Sequence, residues 1–180
     1  MEQKNKTVVS VVIPALNEEQ TIGLVIEKAS KTLEKMGLPY EIIVVDSDST
    51  DQTVAISKKI GARVINQPLR GYGNAYHKGI SESLGDIIVI GDADDTYDFN
   101  EINHFITPLL TNEYDFVIGS RIKGPKISGA MPTLHRYLGT PILTFCINLL
   151  FGTRITDSNC GMRAFTRTAF KRLNVKSPGW

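Results

Sequence analysis

The chain has 180 residues, 42% hydrophobic and 22% charged, which supports one folded domain with a sizeable core and excludes a disordered or fibrous chain. Its net charge of +1 hides a partition: residues 1–120 hold 10 Lys/Arg against 18 Asp/Glu, whereas residues 121–180 hold 10 against 1. Such a basic end attracts phosphates or anionic lipid headgroups, and with no nucleic-acid motif beside it nucleic acid is not an expected partner.

Residues 8–14 read as a first strand, and Asn17 with Gln20 three positions on marks a helix start whose amphipathic run stops near Gly37. A second apolar strand follows at 40–46, then a short helix at 51–60 closed by Gly61, with Ser49 or Thr50 as its N-cap and Asp51 in its first turn. Residues 62–66 read as a third strand and 74–84 as a helix closed by Gly85. The central strand is expected at 86–90, a helix at about 100–110 and a further strand at 114–118. This alternation predicts a doubly wound, mostly parallel α/β sheet with right-handed crossovers. No internal repeat or low-complexity linker divides the chain, so residues 1–180 form a single domain with an acidic half, 1–120, and a basic half, 121–180.

After Arg121 a Gly, Pro and Lys-rich stretch, 123–132, reads as a mobile loop. Residues 137–151 form an apolar helix interrupted by Gly139 and Pro141 and too short to cross a bilayer. Two expectations stand for it: burial against the sheet, or a face that docks at a membrane or receives a lipid chain, favoured by the flanking basic residues. Cys146 and Cys160 have no metal-like spacing and no signal peptide ahead of them, which points to a reducing, cytoplasmic setting. His77, His104 and His135 fall on separate elements and form no ligand set.

The densest chemistry follows the central strand. Ile87, Ile88, Val89 and Ile90 show no alternation, as in a strand buried on both faces of a parallel sheet, and Gly91, Asp92, Ala93, Asp94 and Asp95 come next. Carboxylates two residues apart repel unless a cation sits between them, and hard oxygen ligands suit Mg²⁺ or Mn²⁺ bridging a diphosphate. A solvated acidic turn is the ordinary alternative. Glu18 and Asp46 also follow strands, and parallel strand ends share one edge, so Glu18, Asp46, Asp92 and Asp94 are expected around a single cleft. Asp46, ahead of the cap, is suited to hydrogen-bond a nucleoside. The glycines of Arg70, Gly71, Tyr72, Gly73 and Asn74 match neither a P-loop nor a dinucleotide fingerprint and read as a tight turn, either simple or bringing backbone close to a ligand.

The strings VVIPALNEE, VVDSDSTD, GYGNAYHKG, GDADDTYDF, GSR and DSNCGMRAF together resemble glycosyltransferase family 2, in its polyprenyl-phosphate mannose or glucose synthase branch. The resemblance implies the GT-A fold and inverting transfer of a hexose from GDP-mannose or UDP-glucose to a polyprenyl phosphate. It places Pro14, Leu16, Glu18, Val44 and Asp46 in a nucleoside pocket, Asp92 and Asp94 with the Ala93 backbone on metal and diphosphate, and Arg121 on phosphate. Lys123, Lys126, Arg136, Arg154 and Arg163 join Arg121 as guides for an anionic acceptor. Asp157 would orient Arg163, act as general base toward a hydroxyl acceptor, or simply pair with Arg154 or Arg163. An anionic membrane surface is the expected partner, with the protein peripheral at the cytoplasmic face. A soluble family 2 enzyme with a sugar-hydroxyl acceptor and a noncatalytic nucleotide-sugar-binding fragment are the competing readings. Two departures stand out: Asp46, Ser47, Asp48 and Ser49 replace the family's frequent Asp-Asp-Gly-Ser, and the family's later phosphate-binding Arg and Lys lie beyond Trp180, so the basic half is expected to be incomplete.

Overall fold

A computed structural model describes residues 7–122 and 139–175. The expected loop at 123–132, with Lys123 and Lys126, lies outside the described residues, as do His135 and Arg136. β1 (Val9–Ala15) and β2 (Tyr40–Asp46) pair in parallel, and β3 (Arg63–Asn66) extends the sheet beyond β2. Between them run α1 (Ile22–Met36), ended by Gly37 in the left-handed region at φ 65°, and α2 (Thr53–Lys59). α3 (Tyr72–Glu82) leads into β4 (Ile87–Ile90), which pairs with the other side of β1. A 3₁₀ turn (Phe99–Glu101), α4 (Ile102–Leu110), β5 (Phe116–Ile118), α5 (Thr140–Phe151), β6 (Arg163–Thr166) and α6 (Arg167–Leu173) follow.

The sheet order is β3-β2-β1-β4-β6-β5, with β6 antiparallel to both β4 and β5. The mostly parallel α/β architecture expected from the alternation is therefore present. β1 and β4 bury every residue, as unbroken apolar runs require when helices lie on both faces. Val9, Val11, Ile13, Val44 and Val89 face α1, Phe99 and α4, while Val12, Ile43, Val45, Ile88 and Ile90 face α3 and α6. α3 rides close to the sheet through Gly79, where a Cβ would lie 2.4 Å from Val12 Cγ1.

Four sequence expectations are corrected. Asn17 does not cap α1, which starts five residues later because Asn17 is left-handed at φ 58° and turns its side chain to Thr50. Neither Ser49 nor Thr50 caps α2, whose start is held by Asp51 Oδ1 accepting the Thr53 N–H at 2.9 Å. β6 falls where no strand was expected. α5 is not buried against the sheet: its inward positions are Thr140 and Thr144, and its apolar side chains face outward.

Candidate functional site

Parallel pairing brings the carboxyl ends of β1, β2 and β4 to one edge, and antiparallel β6 delivers its first residue there, with Arg163 in register with Ile90. A cavity of about 280 Å³ opens at this edge. Its wall contains Pro14, Leu16 and Glu18 after β1, Gly71 before α3, and Asp92, Ala93 and Asp94 after β4. Six expected substrate-binding residues and Asp94 thus come together. Val44 does not join them, because it is fully buried within β2 and packs into the core. Asp46 is also buried and absent from the wall: both its oxygens accept the Ser49 N–H at 3.3 Å, and Ser47 lines the cavity in its place. Arg70, Tyr72 and Ala75 are wall residues that sequence reasoning missed. The signal for them was the glycine turn itself, since Gly71 at φ 121° takes a conformation side chains resist and thereby brings both neighbours to the rim.

The first two loops are laced together by polar bonds. The Asn17 N–H donates to Ser49 Oγ (2.9 Å), the Thr50 N–H to Asn17 Oδ1 (2.8 Å), the Glu18 N–H to Thr53 Oγ1 (2.7 Å) and the Gln52 N–H to Glu19 Oε2 (3.0 Å). Asn17, Asp48 and Asp95, at φ 58°, 64° and 59°, put one left-handed non-glycine residue on each of the three loops at this edge. Asp and Asn tolerate that region best among side chains, which explains how Asp48 can stand where the resemblance implies glycine.

Asp92 is the most perturbed acid of the site. Its Oδ1 accepts the Tyr76 hydroxyl at 3.3 Å, and a Cβ at Gly161 would come within 3.2 Å of its Oδ2. Burial, and then the charge of Asp94, push its pKa up to about 6, against the opposing pull of Arg121 and Arg163. Asp94 Oδ1 accepts the Thr96 N–H at 2.9 Å. The expected repulsion between the paired acids is therefore present. Among the described residues no cluster of three or more acid, His or Cys side chains suits a metal ion, so a cation here would hold the two carboxylates and complete its shell from ligand oxygens.

Asp157 pairs with Arg121, not with Arg154 or Arg163. Fully buried, it accepts Arg121 Nε (2.8 Å), Nη2 (3.0 Å) and backbone N–H (3.1 Å), and the Asn159 N–H (3.0 Å). Burial pushes its carboxyl upward, but these hydrogen bonds outweigh it and leave the group below the usual carboxylate range. With its lone pairs so engaged, Asp157 is poorly placed to take a proton. Arg163 donates instead to the Cys160 carbonyl at 2.9 Å. Arg121 and Arg163 thus stand as two cations on the side of Asp92 away from β1. Arg154 is exposed after α5.

The family described as Glycosyl transferase family 2 matches residues 10–173. A low-salt glycan biosynthesis hexosyltransferase of Haloferax volcanii is 41% identical over 170 residues, 94% of this chain and 41% of that protein. A dolichyl-phosphate hexose transferase of the same organism is 35% identical over 158 residues, 88% of this chain and 66% of that protein. The glucosyl-3-phosphoglycerate synthase of Mycobacterium tuberculosis, solved with Mn²⁺, uridine diphosphate and glucosyl-3-phosphoglycerate, superposes with a TM-score of 0.67 at 27% identity, covering 90% of this chain and 57% of that one. The chain therefore spans roughly two-fifths to two-thirds of the length of these proteins.

Proposed function

The chain belongs to glycosyltransferase family 2 and has its GT-A fold, and from that premise we propose that it forms the nucleotide-sugar-binding part of an inverting enzyme that moves a hexose to a polyprenyl phosphate. One observation carries the reading: Glu18, Asp92 and Asp94 share a cavity at the carboxyl edge of the sheet, with Arg121 and Arg163 as cations beside Asp92. Support comes from relatives named for transfer to dolichyl phosphate and from a structural neighbour holding Mn²⁺ and uridine diphosphate. UDP-glucose and GDP-mannose are the candidate donors.

Asp92 and Asp94 would hold Mg²⁺ or Mn²⁺, which when bound supplies positive charge for a leaving nucleoside diphosphate. The unlike settings of these two acids on the one cavity wall suit such a cation, since Asp92 is half-buried and held by Tyr76 while Asp94 is exposed. Ala93 and Gly71 line the cavity, where their backbone would meet a ligand. Leu16 and Pro14 offer apolar surface to a base and ribose. Arg121, held by Asp157, and Arg163 do not line this cavity but stand near Asp92, where they would direct an anionic acceptor. A phosphate monoester, with a second pKa of about 6, is already largely ionised at neutral pH and attacks without a protein base. The full engagement of Asp157 favours this acceptor over a sugar hydroxyl, which would need one.

α5 supports a reading in which the protein associates with a membrane. Phe145, Leu149, Leu150 and Phe151 are 66%, 71%, 74% and 74% exposed, while Asp157, the one acid after residue 120, is fully buried. No described helix is long and apolar enough to cross a membrane. An apolar helix face in the half of the chain that holds 10 Lys/Arg against 1 Asp/Glu suits the interface of an anionic bilayer, for which we propose the cytoplasmic side.

Isothermal titration of the full chain with UDP and GDP, with and without Mn²⁺, followed by a transfer assay with both sugar nucleotides and a short polyprenyl phosphate, tests the proposal. Metal-strengthened binding of one nucleotide is expected. Nucleotide binding indifferent to Mn²⁺ and to Asp94→Ala would remove its basis.

A further inference from the structure

We propose that Lys28, on α1 and outside every motif of the cavity, is a positioning residue that selects which two of three neighbouring aspartates face the nucleotide. The proposal rests on the reading of Asp92 and Asp94 as a cation-holding pair. The loop after β4 offers Asp92, Asp94 and Asp95 within four residues, and only the first two line the cavity. Asp95 is drawn to the other side: Lys28 Nζ meets both its oxygens, at 2.8 and 3.0 Å. The same ammonium lies 3.9 Å from Asp98 Oδ1, and both partners of the Lys28–Asp95 bridge are less than a quarter exposed.

The backbone makes this bridge consequential. Asp95 holds φ 59°, which costs a non-glycine residue energy, and it lies between Asp94 and the Thr96 N–H that Asp94 Oδ1 accepts. Beyond it the loop is fixed by fully buried Phe99 and by Asp98 Oδ1 accepting the Asn100 N–H at 3.0 Å. Lys28 therefore supplies a counter-charge at the one left-handed residue between the metal-facing acids and that anchor. Without it, the Asp95 carboxylate has no ion-pair partner among the described residues and stands in a run of four acids, Asp92, Asp94, Asp95 and Asp98. Relaxing φ at Asp95 would re-aim Asp94 and break the Thr96 bond. Outer groups that orient metal-facing carboxylates in this way typically alter affinity by about 10- to 100-fold.

The test compares wild type, Lys28→Met, Lys28→Arg and Asp95→Asn in the full chain. Amide hydrogen exchange without any ligand is read over residues 91–98, and UDP affinity is titrated with and without Mn²⁺. Lys28→Met and Asp95→Asn are expected to speed exchange in 91–98 but not in α1 or β4. Both should weaken Mn²⁺-dependent UDP binding about tenfold while leaving metal-free UDP binding unchanged, and Lys28→Arg should restore wild-type behaviour. Wild-type exchange over 91–98 in Lys28→Met overturns the proposal, as does an unaltered Mn²⁺ increment. If wild type itself shows no Mn²⁺ increment, the cation reading fails, and the ligand-free exchange still decides whether Lys28 holds the loop.

Discussion

Arg121 and Asp157, 36 positions apart, form a part-buried two-pronged ion pair in which the fully buried carboxylate also accepts the backbone N–H of its own partner. The pair ties the end of the segment after β5 to the loop before β6. Removing Arg121 leaves the Asp157 carboxylate buried without its counter-charge, which costs about 3–5 kcal/mol. Arg121→Ala is expected to lose stability of that order in urea denaturation, and Asp157→Ala less, because the Arg121 side chain that it strands is 20% exposed. The Arg121→Met, Asp157→Leu double variant should lose markedly less than the two single variants together. Additive losses would show that the two residues do not act as a unit.

Asp92 sets a pH dependence. Its pKa is raised from 3.8 to about 6, so the folded chain binds this proton more tightly than the unfolded chain does. Its ionisation therefore costs metal-free stability progressively as pH rises from about 4 to 6, and the cost levels off above. A cation reverses the preference, because it competes with the proton for the carboxylate. Mn²⁺-dependent UDP affinity is expected to be constant from about pH 7 upward and to fall by up to about tenfold per unit below pH 6. Titrations across that range check it, with Asp92→Asn expected to lack both the Mn²⁺ increment and its pH dependence.

The two faces of α5 should respond oppositely to substitution. Phe145→Ser with Leu149→Ser changes exposed positions, so thermal stability should hold within about 0.5 kcal/mol per site. Sedimentation with anionic vesicles should fall at least about tenfold, since each buried large side chain contributes about 1.5–3 kcal/mol. Thr144 behaves differently, because its hydroxyl donates to Ser158 Oγ at 3.1 Å and accepts the Ser158 N–H at 3.2 Å. Thr144→Val should cost about 1–3 kcal/mol of stability and leave vesicle binding unchanged.

Gly79 fixes the distance between α3 and the sheet. A Cβ there meets Val12 Cγ1 at 2.4 Å and Val45 Cγ2 at 2.7 Å. Gly79→Ala should destabilise the chain by about 1–3 kcal/mol despite its better helix propensity. Val12→Ala in the same chain should recover part of the loss. Equal stability of Gly79→Ala and wild type would mean that α3 can lift without cost.

Much of this was legible because local pattern and tertiary role coincide. The unbroken apolar runs of β1, β2 and β4 could sit only between two helical layers, and acids placed after such strands reach a common edge. β6 was missed because Arg163–Thr166 is four residues with two apolar side chains, and its place depends on β4 and β5, some 50 to 80 positions earlier. Val44 was misplaced because a residue near a strand end can face the core as readily as the cleft. The orientation of α5 was readable in principle from Thr140, Thr144 and Asn148, one polar residue per turn along one face. Asn148 Oδ1 accepts the Ile155 N–H, and its Nδ2 donates to the Ile155 carbonyl. A preponderance of apolar residues says nothing about which side is solvent.

The reversed direction of β6 has a consequence for synthesis. When about 120 residues have left the ribosome, Glu18, Asp92 and Asp94 have all been made, but β4 still presents an open ladder on the flank that β6 will fill. Arg163, the cation in register with Ile90, arrives more than 40 residues later with the strand that closes that flank. The nascent chain thus carries an acidic rim with neither its neighbouring strand nor Arg163, and the positively charged flank of the cleft is completed well after the acidic one.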